Sequence, residues 1–303
     1  MRARLLIPAL AGTLALLLTG CVDNSAPSVT GDTEAASGAS IAAEAGTDPT
    51  AIALLPATTT EGGTLAVGTD ASYAPNEFKD EAGNPIGWGI DIATAIAARL
   101  DLTPDFQVAK FDNIIPSVKG GKMDIGMSSF LDTVEREQQV DFVNYYITGT
   151  QWAALAGTSV DPDNACGLTV AVQQTTYQDT VEMPAKNDAC VTAGADPITL
   201  LRFDTQDAAT NAVAIGQADA VTAASPVILY GIGQLDGALI TAGETFSVAP
   251  YGIAVGKDSG LREAVQAAVQ SLVDDGTYGS ILDEWGVADG GISTITINEL
   301  AAG

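Results

Sequence analysis

From Thr64 onward, apolar runs of four to six residues alternate with stretches whose apolar positions recur every three or four residues. The short runs are strand patterns and the longer ones amphipathic helices, so their alternation predicts an α/β fold with a largely parallel sheet. The first strand covers residues 65–68. Glu81-Ala82-Gly83-Asn84-Pro85 reads as a turn within a hairpin. Ile92, Ala95, Ile96 and Leu100 fall on one helical face, with Pro104 on the far side of the exit. A helix over 113–119 should stop at Gly120-Gly121, and residues 123–127 form a short buried strand that Ser128 and Ser129 leave.

The same alternation resumes beyond a strand at 152–155. A strand at 168–173 precedes Thr176-x-x-Asp179, a helix-capping pattern. A helix over 208–215, a strand over 220–223 and a helix opened by Ser225-Pro226 follow. Residues 246–255 return as a strand to the first unit. Leu261, Val265, Ala268, Val269 and Leu272 form the apolar stripe of a long closing helix, and Ile281, Leu282 and Trp285 continue the core. The pattern therefore predicts two α/β lobes joined by two crossing strands: 62–154 and 249–287 for the first lobe, 155–248 for the second. A tail of 288–303 is weakly patterned.

Residues 1–20 carry two arginines, a long apolar run and then Leu18-Thr19-Gly20 before Cys21. This is an export signal, too short in its apolar part for a membrane span. Leu-Thr-Gly-Cys resembles the lipobox of bacterial lipoproteins, which implies cleavage before Cys21 and lipidation of that cysteine, anchoring an extracytoplasmic protein to the membrane. Residues 21–61 are rich in Ala, Ser, Gly, Thr and Asp, and are expected to be a disordered tether. Cys166 and Cys190 remain, in a compartment where disulfides persist, and are expected to pair.

The chain has no histidine, which disfavours a His/Cys zinc site and leaves no imidazole to activate a thiol. Neither a metal nor a cofactor is expected. The formal net charge of −26 excludes nucleic acid as a partner and disfavours an anionic membrane surface, so attachment should come from the lipid alone. It leaves room for an anionic ligand, because the Debye length of about 8 Å at physiological salt lets one arginine dominate its own site.

That arginine is Arg136. Asp132 or Thr133 would cap a helix that begins at once, placing Arg136 in its first turn beside the positive end of the helix dipole. An anionic partner offsets this placement. Ser128, Ser129 and Phe130 could add hydroxyl and backbone N–H donors to a carboxylate held by the guanidinium fork. Glu135, Glu137 and Asp141 offer the alternative of an ordinary surface ion pair. Backbone N–H groups at Tyr177 and Gln178, at a helix start in the second lobe, could face Arg136 across the cleft.

Gly68-Thr69-Asp70 with Tyr73-Ala74-Pro75, then Gly87-Trp88-Gly89-Ile90-Asp91-Ile92, Phe111-Asp112 with Ile115-Pro116, Met127-Ser128-Ser129 to Arg136, and Asp275-Gly276-Thr277-Tyr278 occur in that order. Together they resemble the bacterial extracellular solute-binding proteins of family 3, amino-acid receptors of ABC importers, over about residues 65–286. The resemblance implies a two-lobed clamshell of the type II periplasmic-binding-protein class with two crossover strands as hinge. It implies a monomer that closes on an amino acid or related small carboxylate, presents the closed form to a membrane permease, and turns nothing over. A sensory module serving a signalling partner, and a dehydratase on the same fold, are the rival readings.

By the same resemblance, Tyr73 and Phe111 sandwich the ligand, Arg136 clamps its carboxylate, and Ser129 with Thr176 supplies supporting donors. Asp70 and Glu77 stand where the ligand's side chain is read, and Trp88 is a further candidate contact. Where the family often places acceptors for the ligand's ammonium, this chain has Leu131 and Ala224. Either Asp70 or Glu77 takes the ammonium, or the ligand has no α-amine.

Overall fold

The computed structural model describes residues 37–299; the export signal and Cys21 lie outside them. Ahead of the first strand lie three short helices, α1 (Gly38–Ala43), α2 (Pro49–Ile52) and α3 (Ala57–Gly62). The first lobe is built from β1 (Thr64–Thr69), the hairpin β2 (Phe78–Lys79) and β3 (Pro85–Ile86), α4 (Trp88–Arg99), β4 (Thr103–Val108), α5 (Phe111–Lys119), β5 (Ile125–Leu131) and α6 (Val134–Glu137). The strand β6 (Asp141–Leu155) leads to the second lobe, made of β7 (Thr169–Gln173), α7 (Met183–Thr192), β8 (Thr199–Phe203), α8 (Gln206–Ala214), β9 (Ala220–Ala224) and α9 (Ser225–Gln234). The chain returns along β10 (Leu239–Val255) to α10 (Arg262–Asp274), α11 (Thr277–Glu284) and β11 (Gly291–Ile297).

The strands join in the order β4-β1-β5-β10-β6-β9-β7-β8. Pairings β1–β4, β1–β5, β7–β8 and β7–β9 are parallel, as the alternating pattern requires, while β6 and β10 run antiparallel to each other and to their neighbours. These two long strands belong to both lobes. In the first lobe Val255 faces Asp141, and in the second Leu239 faces Leu155. The register shifts between Ala242 and Phe246 and again before Ala249, so the passage from one lobe to the other is an irregular stretch of an otherwise continuous ladder. This is a two-lobed α/β fold with β6 and β10 as its crossing strands.

Several expectations need correction. Thr150–Ala154 of β6 already pair with β9, so the second lobe begins before residue 155. Residues 128 and 129 do not leave the strand, since β5 continues through them to Leu131 and pairs with β10 at Phe130 and Leu131. The segment expected to be a tether is folded from Ser37 onward. Ala42 and Ala51 are fully buried in the main core, and the Ser37 and Asp48 side chains cap α1 and α2. Small residues permit this, because close packing takes the place of large apolar groups. A Cβ on Gly38 would stand 2.3 Å from Asp91 Oδ2. The weakly patterned tail also folds, with β11 pairing with β6 and Asn298 Oδ1 accepting from the Phe142 N–H at 2.8 Å.

Two covalent or charged ties reinforce the lobes. Cys166 and Cys190 form a disulfide in the second lobe. Arg99 of α4 pairs with Asp275 after α10.

Candidate functional site

The loops that follow β1 and β7, the second half of β5, Phe111, Arg136, Ala224 and the mid-β10 residue Tyr251 converge on a cavity between the lobes with an interior of about 20 Å³. A groove of about 480 Å³ lies beside it, sharing Phe111, Arg136 and Tyr177 in its wall. Direct bonds link the lobes around the cavity. The Ala224 N–H donates to the Tyr73 hydroxyl at 3.2 Å, Gln173 Nε2 to Asp70 Oδ2 at 3.0 Å, and an Arg136 terminal nitrogen to the Thr175 carbonyl at 3.0 Å. At the rim Lys110 Nζ meets Asp204 Oδ2 at 2.6 Å, with both side chains more than half exposed.

Arg136 is placed by the short helix α6. Thr133, not Asp132, is the cap, accepting from the Arg136 N–H at 3.3 Å. The other terminal guanidinium nitrogen donates to the Leu131 carbonyl at 2.9 Å, and the group stands 5.4 Å from the Phe111 ring centre and 5.6 Å from that of Phe130. Those two rings stack at 4.7 Å. Arg136 has no ion pair among the described residues; Asp141, one of its expected surface partners, is held by Lys257 and Arg262 instead. Partial burial pulls the guanidinium down to about 10. Two of its five N–H groups are spent on carbonyls, which leaves three for an anion.

Asp70 also lines the cavity. Its carboxylate accepts from Ser72 Oγ at 2.7 Å and from the Phe111 N–H at 3.0 Å in addition to Gln173. Burial nevertheless raises its pKa, against these three bonds. No arginine or lysine pairs with it among the described residues. The cavity wall thus carries one cation, Arg136, and one carboxylate, Asp70, together with Tyr73, Phe111, Leu131, Ala224 and Tyr251. This polarity suits a ligand with a carboxylate at one end and a cation at the other.

Ser128 and Ser129 line the same cavity. Ser128 Oγ accepts from the Asp70 N–H at 3.0 Å. Ser129, at φ +50°, donates from Oγ to Glu77 and accepts from Asn76 Nδ2 at 2.9 Å. Thr176 lines the second lobe's wall, its hydroxyl donating to the Gln173 carbonyl at 2.7 Å. It also caps the helical run that starts with the π-turn Gln178–Glu182 and continues as α7, accepting from the Asp179 N–H at 3.4 Å.

A family model for bacterial extracellular solute-binding proteins, family 3, matches residues 65–288. The chain belongs to that family. Among family 3 relatives, the arginine-binding protein ArgT of Corynebacterium glutamicum is 38% identical over 249 residues, covering 82% of each chain. The lysine/arginine/ornithine-binding periplasmic protein of Escherichia coli is 29% identical over 71% of this chain and 84% of its own length. Among solved structures, an ancestral arginine-binding protein bound to arginine superposes with a TM-score of 0.68 at 34% identity, over 74% of this chain and 98% of its own. These relatives are binding proteins.

Not all expected site residues of this family 3 protein reach the cavity. Asp70, Tyr73, Phe111, Ser128, Ser129, Arg136, Thr176 and Tyr177 line it, while Phe130 lines the neighbouring groove. Glu77 does not line it. It is fully buried behind Ser129, bonded to that hydroxyl at 3.0 Å from both oxygens, and burial pushes it up to about 8. Trp88 is also excluded: it is fully buried, donating from Nε1 to Asn76 Oδ1 at 2.8 Å and packing on Tyr145, Tyr146 and Tyr251. Both are joined to Ser129 by the hydrogen-bonded path Trp88–Asn76–Ser129–Glu77.

The cavity also contains Gln173 and Tyr251, which sequence reasoning did not assign to it. Gln173 is a polar residue at a strand end, a visible but ambiguous signal. Tyr251 gives none, because an apolar residue in a strand reads as core wherever it points, whereas Leu131 and Ala224, expected at the family's ammonium-binding positions, do line the wall.

Proposed function

We propose that this chain is the extracytoplasmic receptor of an ABC importer, anchored through lipidated Cys21, and that it closes its lobes around a basic amino acid such as arginine. The observation that carries the reading is the polarity of the cleft. Arg136 receives the α-carboxylate with its remaining N–H groups. Asp70, the single carboxylate on the wall, receives the guanidinium or ammonium at the far end of the ligand. Tyr73 and Phe111 hold the aliphatic part, and Ser129 and Thr176 add hydroxyl contacts. The names of the relatives support the same ligand class.

Closure follows from the interlobe bonds. Arg136, Asp70 and Tyr73 belong to the first lobe and bond groups of the second, so a ligand that bridges the same elements stabilises the closed arrangement over the open one. With an interior of about 20 Å³, room for little more than one water, the cavity must open to admit an amino acid. Glu77 cannot take the ligand's α-ammonium from behind Ser129, and neither Leu131 nor Ala224 offers it an acceptor side chain. Asp70 therefore compensates the far-end cation directly, and the α-ammonium is left to neutral oxygen acceptors of the wall, such as the hydroxyls of Ser129 and Thr176, instead of to an acid.

A thermal-shift screen tests this reading with L-arginine, L-lysine, L-ornithine, L-glutamine and agmatine. Ligand at a hundred times its dissociation constant stabilises the fold by about 2.7 kcal/mol. L-Arginine is expected to raise the melting temperature. Agmatine, which keeps the guanidinium but has no carboxylate, is expected to leave it unchanged at the same concentration. Equal shifts from the two compounds would remove Arg136 from the recognition of the ligand.

A further inference from the structure

Among the described residues a single ion pair joins the two lobes, Lys110 of the first with Asp204 of the second. Lys110 Nζ meets Asp204 Oδ2 at 2.6 Å, and Gln174 Nε2 holds the other carboxylate oxygen, Oδ1, at 2.6 Å. Neither charged residue lines the Arg136 cavity or the groove beside it, so a ligand in the cleft does not touch them. The bonds that Arg136, Asp70 and Tyr73 make across the cleft come instead from groups of the cavity wall.

The pair is nevertheless tied to the cavity on both sides. Lys110 immediately precedes Phe111, whose N–H donates to Asp70 Oδ2 at 3.0 Å. The Asp204 carbonyl accepts at 3.4 Å from Gln173 Nε2, the same amide nitrogen that donates to Asp70 Oδ2 at 3.0 Å. A closed ring therefore runs from Asp70 through Phe111, Lys110, Asp204 and Gln173 back to Asp70, and it crosses between the lobes twice. One crossing is the ion pair and the other is Gln173. The hydrogen bond from Lys110 to Asp204, and then the charge of that carboxylate, raise the pKa of the ammonium. Both charges meet solvent, so their attraction acts over the Debye length, about 8 Å at physiological salt and about 3 Å at molar salt.

We propose that Lys110 and Asp204 are a positioning pair, a salt-sensitive latch that holds Phe111 and Gln173 on Asp70 and so sets the rate at which the closed lobes release their ligand. The inference rests on the reading of Asp70 as the acceptor for the ligand's cationic end. The latch forms only when the lobes meet, after the ligand has entered, so it acts on release and leaves capture unchanged. Exposed pairs typically change an equilibrium by up to about fivefold, which is the scale expected of this one.

Association and release of radiolabelled L-arginine test the latch in the wild type, Lys110→Met, Asp204→Asn, the double variant and Lys110→Arg, at about 20 mM and about 0.5 M sodium chloride. At low salt Lys110→Met and Asp204→Asn should each release arginine about two- to fivefold faster than the wild type. The double variant should be no faster than the faster single one, Lys110→Arg should stay slow, and association rates should agree throughout. At high salt the wild type should approach the variants. Wild-type release rates in both single variants at low salt, additive effects in the double variant, or an acceleration that persists undiminished at high salt would overturn the proposal, because a merely structural role has no salt dependence of this kind. Failure of L-arginine to bind the wild type would overturn the reading of the cleft instead. The latch is then read without ligand, as the coupling between Lys110→Met and Asp204→Asn in a double-mutant cycle of melting temperatures at low salt, where coupling is expected and additivity would overturn it.

Discussion

Replacing Glu77 by Gln removes one ionisable group from a fully buried position while keeping its shape and an acceptor for the Ser129 hydroxyl. The carboxyl titrates near 4.5 in a solvated chain and is pushed up to about 8 in the fold, first by desolvation and then by Asp70, against the hydrogen bond from Ser129. Between those two values the folded state retains a proton that the unfolded state has lost. Stability linked to this group is therefore fully present below pH 4.5 and declines by about 1.4 kcal/mol per pH unit, reaching a loss of about 5 kcal/mol by pH 8. The amide of the Glu77→Gln variant does not titrate and has no such dependence. Asp132 and Glu182, both raised to about 7 by burial, contribute equally to the two proteins and cancel in their difference.

Urea unfolding of wild type and Glu77→Gln at pH 5 and pH 8.5 isolates this contribution. The difference in unfolding free energy should move in favour of the variant by about 4–5 kcal/mol across that range. A difference that stays constant with pH would refute the reasoning, because it would mean that Glu77 is ionised in the native protein and stabilised by something other than the Ser129 bond.

Further outcomes follow from the same structure. Because burial holds the Asp70 carboxyl above its usual range, a cationic ligand end beside it should release a proton at mildly acidic pH. Calorimetric enthalpies of L-arginine binding at pH 5 should then differ between buffers of different ionisation enthalpy, and Asp70→Asn should abolish the difference. Replacing Cys166 and Cys190 by Ser opens a loop with a sequence separation of 24 and should destabilise the protein by about 3 kcal/mol in the chain-entropy model, read as a lower melting temperature, with ligand affinity unchanged. Ala51→Glu buries a charge under α2, where Ala51 is fully enclosed, and should cost several kcal/mol in denaturant unfolding; a chain in which residues 37–61 were a free tether would show no change.

Much of this architecture could be read from the sequence because its elements are long and strongly periodic. The stripe of Leu261, Val265, Ala268, Val269 and Leu272 is the buried face of α10, and Ser225-Pro226 opens α9 as the proline rule predicts. Reading failed where the chain folds without large apolar groups. Ala42, Ala45 and Ala51 bury themselves by close approach, which composition mistakes for a tether. The tail was missed because β11 gains its stability from pairing with β6, a long-range contact that its own sequence does not announce.

The site was legible to the extent that charge and motif spacing disclose it. Arg136 and Asp70 stand out as charges next to buried strands, and both line the cavity. Glu77 carries the same local signal as Asp70, seven residues further on, but the hairpin turns it inward behind Ser129. Trp88 similarly sits in a conspicuous glycine-flanked motif, and its role is to fix Asn76. Whether a side chain faces a cleft or a core depends on tertiary placement, and that is the information a periodic pattern lacks.

The most direct test of the central claim is isothermal titration calorimetry of L-arginine into wild type and Arg136→Ala. Removing one partner of a desolvated charge pair typically costs 2–5 kcal/mol, so the variant should bind about a hundredfold more weakly or not measurably, while the wild type saturates with one arginine in the main cleft. Equal affinities in the two proteins would contradict the account, since the carboxylate clamp at Arg136 would then have no part in holding the ligand.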